Sequence, residues 1–119
     1  MRDFHELQVW GKAHRLVLSV YQATRHFPPE ERFGLTLQLR RAAASAPSNI
    51  AEGCGRGGAR ELSRFLSIAA GSISEVEYQL LLAHDLGYLD ETIYRDLNTQ
   101  VNEVKRMLNA FLQTLIANG

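Results

Sequence analysis

Seven apolar residues, Leu62, Leu66, Ala69, Ile73, Val76, Leu80 and Ala83, follow one another at intervals of 4, 3, 4, 3, 4 and 3. An α-helix turns once in about 3.6 residues, so this spacing lines all seven along one face. Leu97, Val101, Val104, Leu108, Phe111 and Leu115 repeat the pattern at 4, 3, 4, 3 and 4. Near the N-terminus, Leu7, Trp10, His14, Val17, Tyr21 and Thr24 form a third stripe, broadened by Val9, Ala13, Leu16 and Val20. Leu35, Leu39, Ala42, Ala43, Ala46 and Ile50 form a fourth. No segment of useful length alternates with period two, the signature of a half-buried strand. The chain reads as all-α.

Local signals punctuate these stripes. Asp3 and Glu6 have the spacing of a capping box. Phe27-Pro28-Pro29 ends the first helix, and Pro29-Glu30-Glu31 opens the next, with proline at its first position and acids near the positive dipole end. Pro47 is expected to kink the second helix. Glu52-Gly53-Cys54-Gly55-Arg56-Gly57-Gly58 reads as a clear break. Gly87 is a natural C-cap and Asp90 a natural N-cap. Gly71, in the small-residue centre of the third helix, predicts a close approach by a neighbour. The expected helices span 4–26, 30–54, 59–86 and 90–117 of a single 1–119 domain. Short connections between such helices predict an antiparallel up-down four-helix bundle, and near-heptad spacing predicts shallow left-handed crossing.

Composition narrows the class. With 45% hydrophobic residues and 13 basic against 13 acidic side chains, the chain has too much apolar content and too little net charge for disorder. No apolar run approaches the roughly 20 residues that span a bilayer. The N-terminal residues lack the apolar stretch of a signal peptide, and a lone cysteine excludes an intrachain disulfide, so a cytoplasmic protein is expected. Leu18, Leu81, Leu82, Leu89, Leu112 and Ile116 fall off the seams. That surplus apolar width favours self-association, because a chain this short buries only about two-thirds of its unfolded surface alone.

The candidates for chemistry are few. His5, His14, His26, His84 and Cys54 show no metal-ligand spacing. His14 is expected in the core or an interface. Cys54 is a reactive thiol only if Arg56 lowers its pKa. The glycine run lacks the preceding strand and the Lys-Ser/Thr ending of a phosphate loop, which leaves a flexible connector. Ser45 and Ser48 have no evident base and are expected to bond back to the backbone or cap the helix. No catalytic constellation, metal site or cofactor site emerges. Charge is nevertheless uneven: residues 1–64 hold ten basic and six acidic side chains, residues 65–119 three and seven. Arg40, Arg41, Arg56, Arg60 and Arg64 fall on outward positions of adjacent elements, which makes them the candidate nucleic-acid surface. Glu52 and Glu61 are placed to pair with Arg56 and Arg64. No aromatic residue interleaves with the arginines in sequence, so only a phosphate-tracking, salt-sensitive contact with RNA or DNA is expected.

The run Pro47-Ser48-Asn49-Ile50-Ala51-Glu52-Gly53 resembles the signature of a bacterial four-helix-bundle family encoded by intervening sequences in 23S ribosomal RNA genes, also called S23 ribosomal protein. Leu7-Gln8-Val9-Trp10-Gly11-Lys12-Ala13, Tyr21-Gln22-Ala23-Thr24 and Gln38-Leu39-Arg40-Arg41-Ala42 extend the resemblance, as does Ala70-Gly71-Ser72 with Glu75 and Glu77. Ala44 and Ala46 stand where larger aliphatic residues are expected. The resemblance implies a left-handed up-down bundle, commonly a five-subunit homo-oligomeric ring, with no assigned enzymatic activity and an unidentified partner. It also implies kinship with accessory proteins of diversity-generating retroelements, whose basic surface engages nucleic acid and a reverse transcriptase.

Overall fold

The computed structural model describes residues 2–118. Its helices are α1 (Gln8–Thr24), α2 (Leu35–Gly55), α3 (Ala59–Asp85) and α4 (Glu91–Asn118), with single turns of 3-10 helix at Phe4–Glu6 and Pro29–Glu31. No strand lies among the described residues. Each helix packs on two others: α1 and α3 both touch α2 and α4. The bundle measures 45 × 23 × 20 Å. No helix among the described residues is long and apolar enough to cross a membrane.

The seam of α3 is buried along its whole length, from Leu62 to Ala83, and so are Leu97, Val101, Val104, Leu108 and Leu115 of α4. Helix α1 departs from expectation. Its core face is Val9, Ala13, Leu16 and Val20, the set taken to broaden the stripe, joined by Thr24 of the expected stripe itself. Trp10 and Val17 are only half-buried, and His14 and Tyr21 are exposed. The two sets share one period and differ only in phase, so periodicity alone does not choose between them. His14 is therefore no core histidine; its ring stacks flat on Trp10, with centroids 5.1 Å apart.

Helix starts are also more economical than expected. Asp3 caps only the first 3-10 turn, accepting from the His5 backbone N–H at 3.0 Å, and α1 begins after extended Leu7. Pro29 likewise opens a single turn. Glu31 then accepts from the Leu35 N–H at 2.9 Å, satisfying a donor at the start of α2. Tyr88 donates to Glu31 across 3.1 Å and packs against Phe27, tying the α1–α2 connection to the α3–α4 connection.

Helix α2 runs through buried Pro47 and continues to Gly55, so only Arg56, Gly57 and Gly58 form the connection to α3. The glycine-rich break is shorter than the sequence suggests. Gly53 lies inside the helix and close against α3: a Cβ there would sit 2.9 Å from Phe65 Cβ and 3.1 Å from a Leu62 methyl. Gly71 reverses its expected role, being exposed, with nothing within 4 Å of a Cβ built there. The caps around Gly87 match the sequence reading. With Gly87 at φ +81°, its N–H reaches His84 and that of Tyr88 reaches Ala83, the two bonds of a Schellman ending. Asp90 then accepts from the Ile93 N–H at 2.8 Å, capping α4.

Candidate interaction surface

The five candidate arginines do not form one patch. Arg40 and Arg41 lie in the second turn of α2, whereas Arg56, Arg60 and Arg64 flank the α2–α3 connection. Arg56 lies sixteen positions beyond Arg40 along α2 and its cap, about 24 Å at 1.5 Å per residue. Arg40 is also turned inward to a structural task. Its Nε donates to Thr24 Oγ1 at 2.8 Å and its guanidinium covers the Tyr21 ring at 4.5 Å. A second donor reaches the Tyr21 carbonyl at 3.2 Å. Arg41 and Arg60 are exposed.

At the other end, Arg56 Nε is 3.1 Å from Glu52 and Arg64 is 3.9 Å from Glu61, the pairing expected from sequence. Both guanidiniums also lie over Phe65, at 5.3 and 4.9 Å. An aromatic ring therefore does accompany these arginines, next to Arg64 in sequence and nine residues from Arg56. Phe65 is buried, so it steadies the arginines and offers no open face to a base.

The signature residues divide by helix face. Ile50, Pro47 and Gly53 point inward, Ile50 filling the core and Gly53 admitting α3. Asn49 donates to the Ser45 carbonyl at 2.8 Å and to its hydroxyl at 3.0 Å, while Ser45 and Ser72 hydroxyls meet at 2.9 Å. Ser45 thus bridges α2 and α3, where sequence reasoning expected it to bond locally. Ser48 and Glu52 are exposed, and Ala51 is half-buried.

Cys54 is 2% exposed, and burial pushes its thiol above the ordinary value of 9.0, with Arg2 opposing the rise. A buried, protonated thiol is a poor nucleophile. Among the described residues no group of three or more His, Cys, Asp or Glu side chains is placed to hold a metal. His84 sits between two carboxylates, Nε2 at 2.7 Å from Glu91 and Nδ1 at 3.4 Å from Asp85, and its ring stacks on Tyr94. The hydrogen bond with His84, supported by Arg95, holds the Glu91 carboxyl below its usual value of 4.5. This cluster pins the start of α4 to the end of α3.

What sequence reasoning missed is a surface. Because the core takes the Val9–Thr24 face of α1, the neighbouring stripe of Trp10, His14, Val17 and Tyr21 is left partly open, with Leu18 beside it at 55% exposed. Arg40 closes one end of that stripe. One, two and three turns farther along the same face of α2 come Ala44, Pro47 and Ala51, whose side chains are too short to cover the rest. The small residues at 44 and 51 were legible in sequence; their consequence was not, since it depends on the phase of α1.

A family model described as 23S rRNA-intervening sequence protein matches residues 5–110. One solved crystal structure, a protein of unknown function from the S23 ribosomal protein family of Bacteroides thetaiotaomicron, superposes with a TM-score of 0.81. The two are 21% identical over 88% of this chain and 95% of that one, a likeness that establishes the fold. No curated protein matches the chain.

Proposed function

The chain belongs to the 23S rRNA-intervening sequence protein family, and within it we propose that this protein is a non-enzymatic, self-assembling bundle. It works in the cytoplasm as a homo-oligomeric interaction scaffold, a five-subunit ring in the manner its family resemblance implies, for a partner protein or nucleic acid. The observation that carries this reading is the second apolar stripe of α1, which the described residues leave partly open, with Leu18 and Tyr21 exposed. Apolar surface of that kind marks a binding face in a protein of this size.

The individual contacts support an antiparallel, up-down reading of the bundle. Lys12 pairs with Glu103 while Ser19 meets Gln100, and Gly53 lies by Leu62 and Phe65 while Ser45 meets Ser72. In each pair of helices one residue number rises as the other falls. A left-handed crossing follows from the near-heptad seams. The non-enzymatic reading rests on the tasks its nucleophile candidates already perform: Cys54 is buried and protonated, and Ser45 is committed to Ser72 and Asn49.

Sedimentation velocity on the full chain and on Leu18→Glu tests this reading. A wild-type oligomer that loses mass in the variant supports it. A wild-type monomer at micromolar concentration overturns it.

A further inference from the structure

Charge is sorted between the helices as well as along the chain. Helices α1 and α2 carry four basic side chains, Lys12, Arg15, Arg40 and Arg41, against one acidic, Glu52. Helices α3 and α4 carry five basic and seven acidic. Since α1 and α2 are neighbours, and so are α3 and α4, one side of the bundle is basic and the other acidic.

The basic side coincides with the partly open stripe. Leu18 and Tyr21, the latter 42% exposed, stand with exposed Arg25 and Arg41 around them. On the outer face of α3, Tyr78 is 61% exposed, and exposed Glu75 and Asp85 lie one and two turns away on the same face. Both patches join exposed apolar area to charge of a single sign, and the signs are opposite. They also share a height along the bundle. The Ser45–Ser72 contact, with Gly53 beside Leu62 and Phe65, sets Arg41 level with the Glu75–Tyr78 turn of α3. The Arg40 bonds to Thr24 and Tyr21 set Tyr21 and Arg25 near that same level.

We infer that the chain assembles head-to-tail: the basic stripe of α1 and α2 on one copy receives the acidic, Tyr78-bearing face of α3 on the next. This rests on the self-assembly reading and deepens it by naming the two surfaces. Two different faces of one chain make a heterologous contact, which closes into a ring or propagates and cannot stop at a symmetric dimer. Matching heights let a rotation about an axis parallel to the helices bring the faces together. The apolar stripe supplies contact area and the opposed charges select the register.

Charge reversal in the full-length protein tests the pairing. Sedimentation velocity at about 10 µM would compare wild type with Arg25→Glu/Arg41→Glu, with Glu75→Arg/Asp85→Arg and with the quadruple variant. The first two set like charges against each other and are expected to fall to monomer. The quadruple variant restores opposition with the signs exchanged and is expected to reassemble. Circular dichroism of each variant checks its helices. A titration of wild type from 50 to 500 mM salt gives an arm free of substitutions, in which assembly is expected to weaken because exposed charges are screened. Assembly that survives either pair of reversals in folded protein overturns the pairing and leaves self-assembly standing. So does a folded quadruple variant that stays monomeric, or an oligomer indifferent to salt. A monomeric wild type overturns both readings.

Discussion

Gly53 and Phe65 hold α2 and α3 in close contact: a Cβ on the glycine would lie 2.9 Å from that of the phenylalanine, inside the distance real side chains keep. Both Cβ positions are fixed by helical backbone, so neither yields without moving a helix. Gly53→Ala is therefore expected to destabilise the fold by about 1–3 kcal/mol, the usual cost of overpacking. Gly71→Ala, on an open face of α3, is expected to stabilise by about 0.5–1 kcal/mol through helix propensity. Urea unfolding of both variants at one protein concentration checks the opposite signs. Equal effects would contradict the packing described here.

Arg40 and Arg41 are adjacent in sequence and unlike in duty. Removing Arg40 breaks its bonds to Thr24 and Tyr21 and uncovers the Tyr21 ring. Arg40→Ala is expected to lower stability by about 1–2 kcal/mol, from a charged hydrogen bond and a cation–π contact. Arg41→Ala, at an exposed position, is expected to stay within about 0.5 kcal/mol of wild type when unfolding is followed at low protein concentration, where the monomer prevails. A loss of nucleic-acid affinity in an Arg40 variant would then have to be separated from a loss of fold.

The α3 and α4 seams were legible because each helix has one apolar face, so the phase of the pattern is unambiguous. Helix α1 has two adjacent stripes of equal period, and only the packed structure assigns Val9–Thr24 to the core. The glycine run was read as a break from Glu52, although the expected second helix ran to 54; α2 in fact reaches Gly55, and Phe65 and Leu62 occupy the space a side chain at 53 would need. Arg41, Arg56, Arg60 and Arg64 are exposed, but Arg40 is turned onto α1, and helix length carries it far from Arg56. The contact of Arg56 with Phe65 arises only when the end of α2 meets α3, whereas Arg64 lies over its own neighbour in sequence.

Acid is expected to loosen the junction of α3 and α4. The Glu91 carboxyl is held below its ordinary value of 4.5 by its hydrogen bond with His84. A lowered folded-state pKa stabilises above the unfolded value, and that stabilisation is lost as pH falls through the folded one. Glu103, lowered by its hydrogen bond with Lys12, behaves in the same sense between α1 and α4. Thermal unfolding from pH 6 down to pH 3 should lose stability less steeply in Glu91→Gln/Glu103→Gln than in wild type. Both groups are at the surface, so the difference should shrink in high salt. Parallel curves would show that neither pair contributes.

Cys54 should resist alkylation in the native protein. With 2% exposure and a raised pKa it presents neither access nor thiolate. Iodoacetamide labelling at pH 8, read by mass spectrometry, is expected to be at least tenfold slower in buffer than in 6 M guanidinium. Equal rates would place the thiol on the surface.

The partly open stripe of Trp10, His14, Val17, Leu18 and Tyr21 is the proposed subunit contact. Multi-angle light scattering of the unmodified chain, eluting at micromolar concentration and moderate salt, measures the consequence directly. A single species is expected, with a molar mass that is a whole multiple of the chain's, five for the ring. A peak at the mass of one chain, unchanged on raising the concentration tenfold, would contradict it.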